Sequence, residues 1–111
     1  MTAVDDVTRR AAVGMLRWLE QEGLGGDQLI ALQLLKIGEE AGEASGAWIG
    51  ATGVNPRKGV THTRRDVADE LADVVLAALV AIESLGYDSR EVVATCAEKV
   101  LARLPGEVAV S

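Results

Sequence analysis

The length, composition and charge of the chain limit what it can encode. Its 111 residues, 49% hydrophobic and 25% charged, predict one globular domain spanning 1–111. One cysteine and one histidine exclude a disulfide framework and a cysteine-rich or histidine-rich metal site. A net charge of −6 disfavours a nucleic-acid polymer as partner, although a free nucleotide could still bind through metal ions.

Apolar segments are too short for a membrane span. The longest run covers 74–82, whereas a bilayer crossing needs about 20 residues. The first ten residues carry charges without the apolar stretch of a signal peptide. We therefore expect a cytoplasmic protein with no membrane partner. Aromatic residues make up only 3% of the chain, which favours helices packed through Ala and Leu over strands.

Two helices are predicted in the first half of the chain. The first covers 4–22, where apolar residues recur every three or four positions, and three glycines end it. The second begins with Asp27 as N-cap and continues to about Ile49. A break of about a dozen residues follows, GATGVNPRKGVTHT, and loops of this length are usually functional or disordered.

Two further helices are predicted in the second half. The third begins near Thr63, which with Asp66 resembles a capping box, and it ends at Gly86. The fourth follows an N-cap at residue 88 or 89 and stops at Pro105. The third helix is apolar on nearly all sides after Leu71, so several neighbours must cover it. A four-helix domain this small cannot do so alone, and we therefore expect a homo-oligomer.

Acidic residues cluster on two of these helices without enough basic partners. On the second helix three glutamates share one face, and on the third an acidic pair does the same; these are Glu39, Glu40, Glu43, Glu70 and Asp73. Lys36 is the one cation near the glutamates. Carboxylates in apolar surroundings are costly unless they are paired, protonated or bound to metal. Oxygen-only ligands fit Mg²⁺, with Mn²⁺ as a substitute.

The runs KIGEEAGEA and DELADVVLA have the form EExxE followed by ExxD. This pair resembles the signature of the MazG-like all-α nucleoside triphosphate pyrophosphohydrolases, over about residues 25–104, with 107–111 as a tail. The resemblance implies a four-helix bundle that assembles as a dimer or a dimer of dimers. It also implies cleavage of an NTP or dNTP into the monophosphate and pyrophosphate, as house-cleaning of the nucleotide pool.

By the same resemblance, Glu40, Glu43, Glu70 and Asp73 bind Mg²⁺. Glu39 helps to hold a second ion or orients the attacking water, so the catalytic pair is Glu39 and Glu40. The last helix of such proteins often contacts the phosphates. That role falls here on Lys99 and Arg103, which are four residues apart and share a helical face.

Other candidate substrate contacts come from chemistry alone. The loop is basic, and Arg57 and Lys58 could close over a triphosphate or could simply be solvated. Trp48 could stack on a base, and so could Trp18 on weaker grounds, although tryptophans more often anchor packing. The motif specifies neither the base nor the sugar.

Two other classes of protein compete with the hydrolase. A di-iron carboxylate bundle needs Glu-x-x-His pairs, and the single histidine lies in the loop, which argues against that class. A non-catalytic helical module for assembly or nucleotide sensing stays open as the alternative function. Such a module gains nothing from five uncompensated carboxylates.

Overall fold

The computed structural model describes residues 4–106, and within that range it contains four α-helices and no strand. In chain order they are α1 (Asp6–Gln21), α2 (Gly26–Thr52), α3 (Arg64–Ser84) and α4 (Ser89–Arg103). The predicted all-α class is confirmed. None of the described helices is both long enough and apolar enough to cross a membrane. The tail predicted at 107–111 lies outside the described residues.

Side-chain caps fix the starts of α3 and α4 as the sequence predicted. At α3 the Asp66 N–H donates to Thr63 Oγ1 (3.1 Å), and the Thr63 N–H donates to Asp66 Oδ2 (2.8 Å). This reciprocal pair is a capping box with Asp in the Glu position. At α4 Asp88 is the N-cap and accepts from the Arg90 N–H (2.9 Å).

The predicted start of α2 is wrong by two residues. Gly25, in extended backbone, is the N-cap, and Asp27 lies in the first turn. Glycine is accepted at an N-cap, and Gly26 has a φ of 56°, in the left-handed region that favours glycine. Asp27 therefore complements the helix dipole instead of capping the backbone.

Helix α3 is the centre of the fold. Both α1 and α2 pack against it, while making few direct contacts with each other. The core between α1 and α3 includes the buried residues Ala12, Leu79 and Val80. The buried residues of α2 include Leu29 and Gln33 in its first half and the small Ala44 and Ala47 in its second half, where small side chains allow two helices to approach closely.

Glu83 connects three helices near the end of α3. Its carboxylate accepts from Arg9 Nε of α1 (3.0 Å) and from the Ser89 N–H at the start of α4 (2.7 Å). Burial alone would raise the pKa of Glu83, but these hydrogen bonds outweigh burial and leave the pKa below its ordinary value. Glu83 therefore stays ionised and orients α1 and α4 on α3.

The four helices of a single chain are not closely packed around one another. Helix α4 contacts α3 and then extends away, and the Cα radius of gyration is 16.8 Å. A closely packed domain of this length would have a radius of about 13 Å. Large apolar side chains stay exposed on three helices, with exposed fractions of 74% at Leu35, 52% at Val75 and 54% at Leu101.

The loop after α2 is held against the end of that helix. Its backbone returns to Gly50, whose carbonyl accepts from the N–H groups of Thr61 (2.9 Å) and His62 (3.3 Å). Gly50 is buried, and a Cβ atom there would overlap the side chains of both residues. Glycine is therefore required at this close approach of loop and helix.

We expect Gly50→Ala to lower the free energy of unfolding by about 1–3 kcal/mol, because the added methyl group must displace the loop. Gly46→Ala is the matched control on the same helix, since a Cβ there meets nothing within 4 Å. It should leave stability unchanged or raise it by up to about 1 kcal/mol. Urea unfolding followed by circular dichroism compares the two. Equal stability of Gly50→Ala and the wild type would contradict this position of the loop.

Candidate metal centre

The packing of α2 on α3 brings three carboxylates together. Glu40 and Glu43 lie one turn apart on α2, and Glu70 comes from the facing turn of α3. One oxygen from each of the three lies within 4.8 Å of the other two. Residues from both halves of the acidic motif therefore meet in space, as the sequence predicted for these three positions.

The cluster is electrostatically unfavourable without a cation. The pKa of Glu43 is raised, first by the charge of Glu40, then by burial and by the charge of Glu70. When Glu43 is protonated it can form a hydrogen bond with Glu70. This hydrogen bond favours the protonated form and raises the pKa of Glu43 further. Lys36 Nζ lies 3.2 Å from Glu40 Oε1, but this exposed pair compensates only part of the charge.

Glu70 carries the clearest sign of a missing partner. Its Oε2 atom is buried and has no hydrogen-bond partner among the described residues. Leaving a buried charged oxygen without a donor is costly. A divalent cation would satisfy this atom and neutralise the neighbouring carboxylates at once. The donor set consists of oxygen atoms alone, and it therefore fits a hard cation of the Mg²⁺ type.

Two acidic residues of the predicted site do not join this cluster. Asp73 and Glu39 are both exposed, and with Glu40 they line a neighbouring cavity. Asp73 is therefore open to solvent, although apolar residues flank it in sequence. Its position on α3 faces the gap that α1 and α2 leave open.

This cavity, of about 830 Å³, lies between α1 and α2 with α3 as its floor. Apolar side chains from all three helices line most of it, while Lys36 and the acidic residues form one end. The apolar lining includes Met15, Trp18, Leu32, Leu76 and Val80. A polar residue of α2, Gln33, is buried in the same wall.

The two tryptophans lie in different places, and only Trp18 lines the cavity. Trp18 lines the cavity beside the carboxylates, whereas Trp48 does not, so the residue with the weaker sequence argument is the better placed. Trp48 lies under the guanidinium of Arg64, 5.3 Å from the ring centroid. This is a cation–π contact at the start of α3.

The predicted basic contacts lie away from this cavity within one chain. Lys58 lines a separate pocket of about 310 Å³ with Gly50 and His62, and the neighbouring Arg57 is exposed in the same loop. Lys99 lines a shallow pocket on α4, and Arg103 is exposed at the end of that helix. No basic residue from the loop or from α4 borders the acidic cavity in the described part of the chain.

Gln33 is a residue of the cavity wall that the sequence motifs do not indicate. A signal was present, since Gln33 is the one polar residue in the run LIALQLL, which otherwise forms an apolar face. Helical periodicity places it two turns before Glu40 on the same side of α2. What the pattern could not show is that this side borders a cavity.

Comparison of the chain with protein-family models, with curated proteins and with solved structures gave no match. The chemistry of the site therefore has to be argued from its own residues.

We expect Mg²⁺ or Mn²⁺ to raise the melting temperature of the wild type, because a ligand that binds only the folded state stabilises it by about 2.7 kcal/mol at 100 times its Kd. Glu70→Gln should abolish most of this shift. Without divalent ions, Glu70→Gln should melt at the same or a higher temperature, because repulsion is removed. Differential scanning calorimetry with EDTA or added metal measures both effects.

Asp69→Asn is the matched control for Glu70→Gln. Asp69 is the preceding residue of α3, is exposed, and pairs with Arg65 (2.8 Å), so its substitution removes the same charge outside the cluster. It should keep the full metal-dependent shift. Equal shifts in both variants would show that the cation binds elsewhere or through general charge screening.

Proposed function

We propose that this protein is a Mg²⁺-dependent nucleoside triphosphate pyrophosphohydrolase of the MazG-like type, cleaving an NTP or dNTP into the monophosphate and pyrophosphate. The observation that carries the proposal is the carboxylate cluster, with an unpartnered Glu70 oxygen, next to a largely apolar cavity that Glu40 of the cluster also lines. Such a cavity, beside a charged end, is the usual form of a site for a molecule with an apolar ring and a polar group.

In this proposal Glu40, Glu43 and Glu70 hold the cation. A bound Mg²⁺ neutralises phosphate charge and lowers the pKa of water, so the chain need not provide a covalent nucleophile. Glu39 borders the cavity from the same turn of α2 and is the proposed group that orients the attacking water or helps to hold a second ion. Asp73, across the cavity mouth on α3, is a further candidate ligand.

Lys36 and Trp18 have proposed roles on the cavity side of the cluster. Lys36 carries a positive charge beside Glu40, where a phosphate oxygen could replace the carboxylate as its partner. Trp18 offers an aromatic face for a nucleobase at the opposite wall, on α1. A role in removing non-standard or excess nucleotides would follow from this activity.

We also propose that the protein functions as a homodimer or a homotetramer. The expanded single chain and its exposed leucines and valines support this proposal. It also gives Lys99 and Arg103 a way to contact phosphate. In one chain they lie away from the cavity, so a phosphate-binding role requires that they reach the cavity of a second copy.

Light scattering coupled to gel filtration should give two or four times the chain mass of 11.6 kDa. Val75→Glu, which places a charge on the exposed apolar face of α3, should shift the mass towards the single chain. Gln21→Glu adds the same charge at the exposed end of α1 and should leave the mass unchanged. A wild-type mass equal to one chain would refute the oligomer.

The direct test of the activity is a product assay with Mg²⁺ and a panel of standard and modified NTPs and dNTPs. Pyrophosphate and the monophosphate are the expected products. Glu43→Gln should lower turnover by about 100-fold or more, since even residues that only support metal ligands cost about 10–100-fold when mutated. Asp69→Asn is again the control and should retain turnover.

Other product patterns would contradict this function. Orthophosphate without pyrophosphate would mean that another bond is cleaved. No product with either Mg²⁺ or Mn²⁺, combined with measurable nucleotide binding, would instead favour the non-catalytic nucleotide-sensing module.

A further inference from the structure

Gln33 is a polar residue of α2 that is almost wholly buried. Only 3% of it is exposed, and its side-chain amide makes no hydrogen bond to another described residue. It lies in the wall of the cavity, where its neighbours are apolar side chains such as Leu76 and Val80.

The distance from Gln33 to the carboxylate cluster matches the length of a nucleotide. Gln33 and Glu40 are seven residues apart on α2, which places them about 10 Å apart along the helix axis and on nearly the same face. This separation is comparable to the length of a nucleoside monophosphate from its base edge to its phosphate. Phosphates held at the carboxylates by a cation would therefore place the base beside Gln33.

We infer that Gln33 recognises the nucleobase, its side-chain amide forming a donor and acceptor pair with the edge of a base held between α1 and α2. This inference rests on the proposed function, and it names the specificity residue of that site. An amide presents one acceptor and two donors close together, so it pairs with a base edge that carries a donor next to an acceptor. Trp18 of α1 borders the same space and would contact the ring face.

Fluorescence of Trp18 can report base binding without turnover. The chain has two tryptophans, and Trp48→Phe leaves Trp18 as the only one, inside the cavity. In this background, with Mg²⁺, the monophosphates of adenosine, cytidine, guanosine and uridine are titrated separately. We expect at least one of them to change the emission, and the four affinities to differ.

Gln33→Leu in the same background should weaken the preferred monophosphate by about tenfold or more, the effect of losing a buried hydrogen-bonding group. Its affinity for inorganic tripolyphosphate, measured by calorimetry with Mg²⁺, should stay unchanged because the carboxylates are intact. Gln28→Leu is the matched control, since Gln28 is exposed on α2 and does not line the cavity. It should keep the wild-type affinities.

Three outcomes would overturn the inference. Equal monophosphate affinities in Gln33→Leu and the wild type would mean that Gln33 does not contact the base. An equal loss of tripolyphosphate affinity would mean that it acts through the metal centre. A changed oligomeric mass in Gln33→Leu would mean that the amide's partner is a second copy of the chain.

The two proposals fail in different ways. Base binding that depends on Gln33, without pyrophosphate release from any NTP, would refute the hydrolase and support the role of Gln33. Pyrophosphate release with the same kcat/KM in Gln33→Leu for all four bases would support the hydrolase and refute that role. No nucleotide binding by the wild type would refute both.

Discussion

Helices α2 and α3 share the largest helix–helix contact of the described chain, and their packing positions the candidate metal site. Small residues such as Ala44 and Ala47 let the two helices approach, and the approach forces Glu40 and Glu43 against Glu70. Packing that stabilises the helix pair thus concentrates negative charge at one point, where the described residues leave a Glu70 oxygen without a donor. A bound cation would make the same contact favourable, so in our proposal the metal completes the packing of α2 on α3.

The central position of α3 explains why a cavity exists at all. Helices α1 and α2 each bury one face on α3 without closing on each other, so a largely apolar space remains between them. Glu83 supports this arrangement from the far end of α3 by binding both Arg9 and Ser89. Gln33 and three carboxylates, those of Glu39, Glu40 and Asp73, line the same space, and in our proposals the partners of these polar groups come from a bound ligand. One ligand that combines a base with phosphates would satisfy both.

A single chain also leaves large apolar side chains uncovered. Its radius of gyration is large, and apolar residues such as Leu35 and Leu101 are exposed. Covering these apolar surfaces would lower the free energy of the protein. Under the proposed assembly, a second copy would cover these surfaces and bring α4 residues towards a neighbouring cavity. Binding and assembly would then be linked, because Lys99 lines a pocket on α4 and not the acidic cavity of its own chain.

Local interactions in the sequence determined the four helices and much of the acidic cluster. The Thr63 and Asp66 cap and the one-turn spacing of Glu40 and Glu43 depend on residues three positions apart, so they can be predicted without the fold. Tertiary structure alone decided that Asp73 is exposed, that Trp18 rather than Trp48 borders the cavity, and that the basic loop folds back on Gly50. The first two outcomes depend on how each helix is rotated about its axis against α3, and the third depends on hydrogen bonds between Gly50 and residues 11 and 12 positions further along the chain. That rotation is set by packing between residues distant in sequence, which periodicity within one helix does not encode.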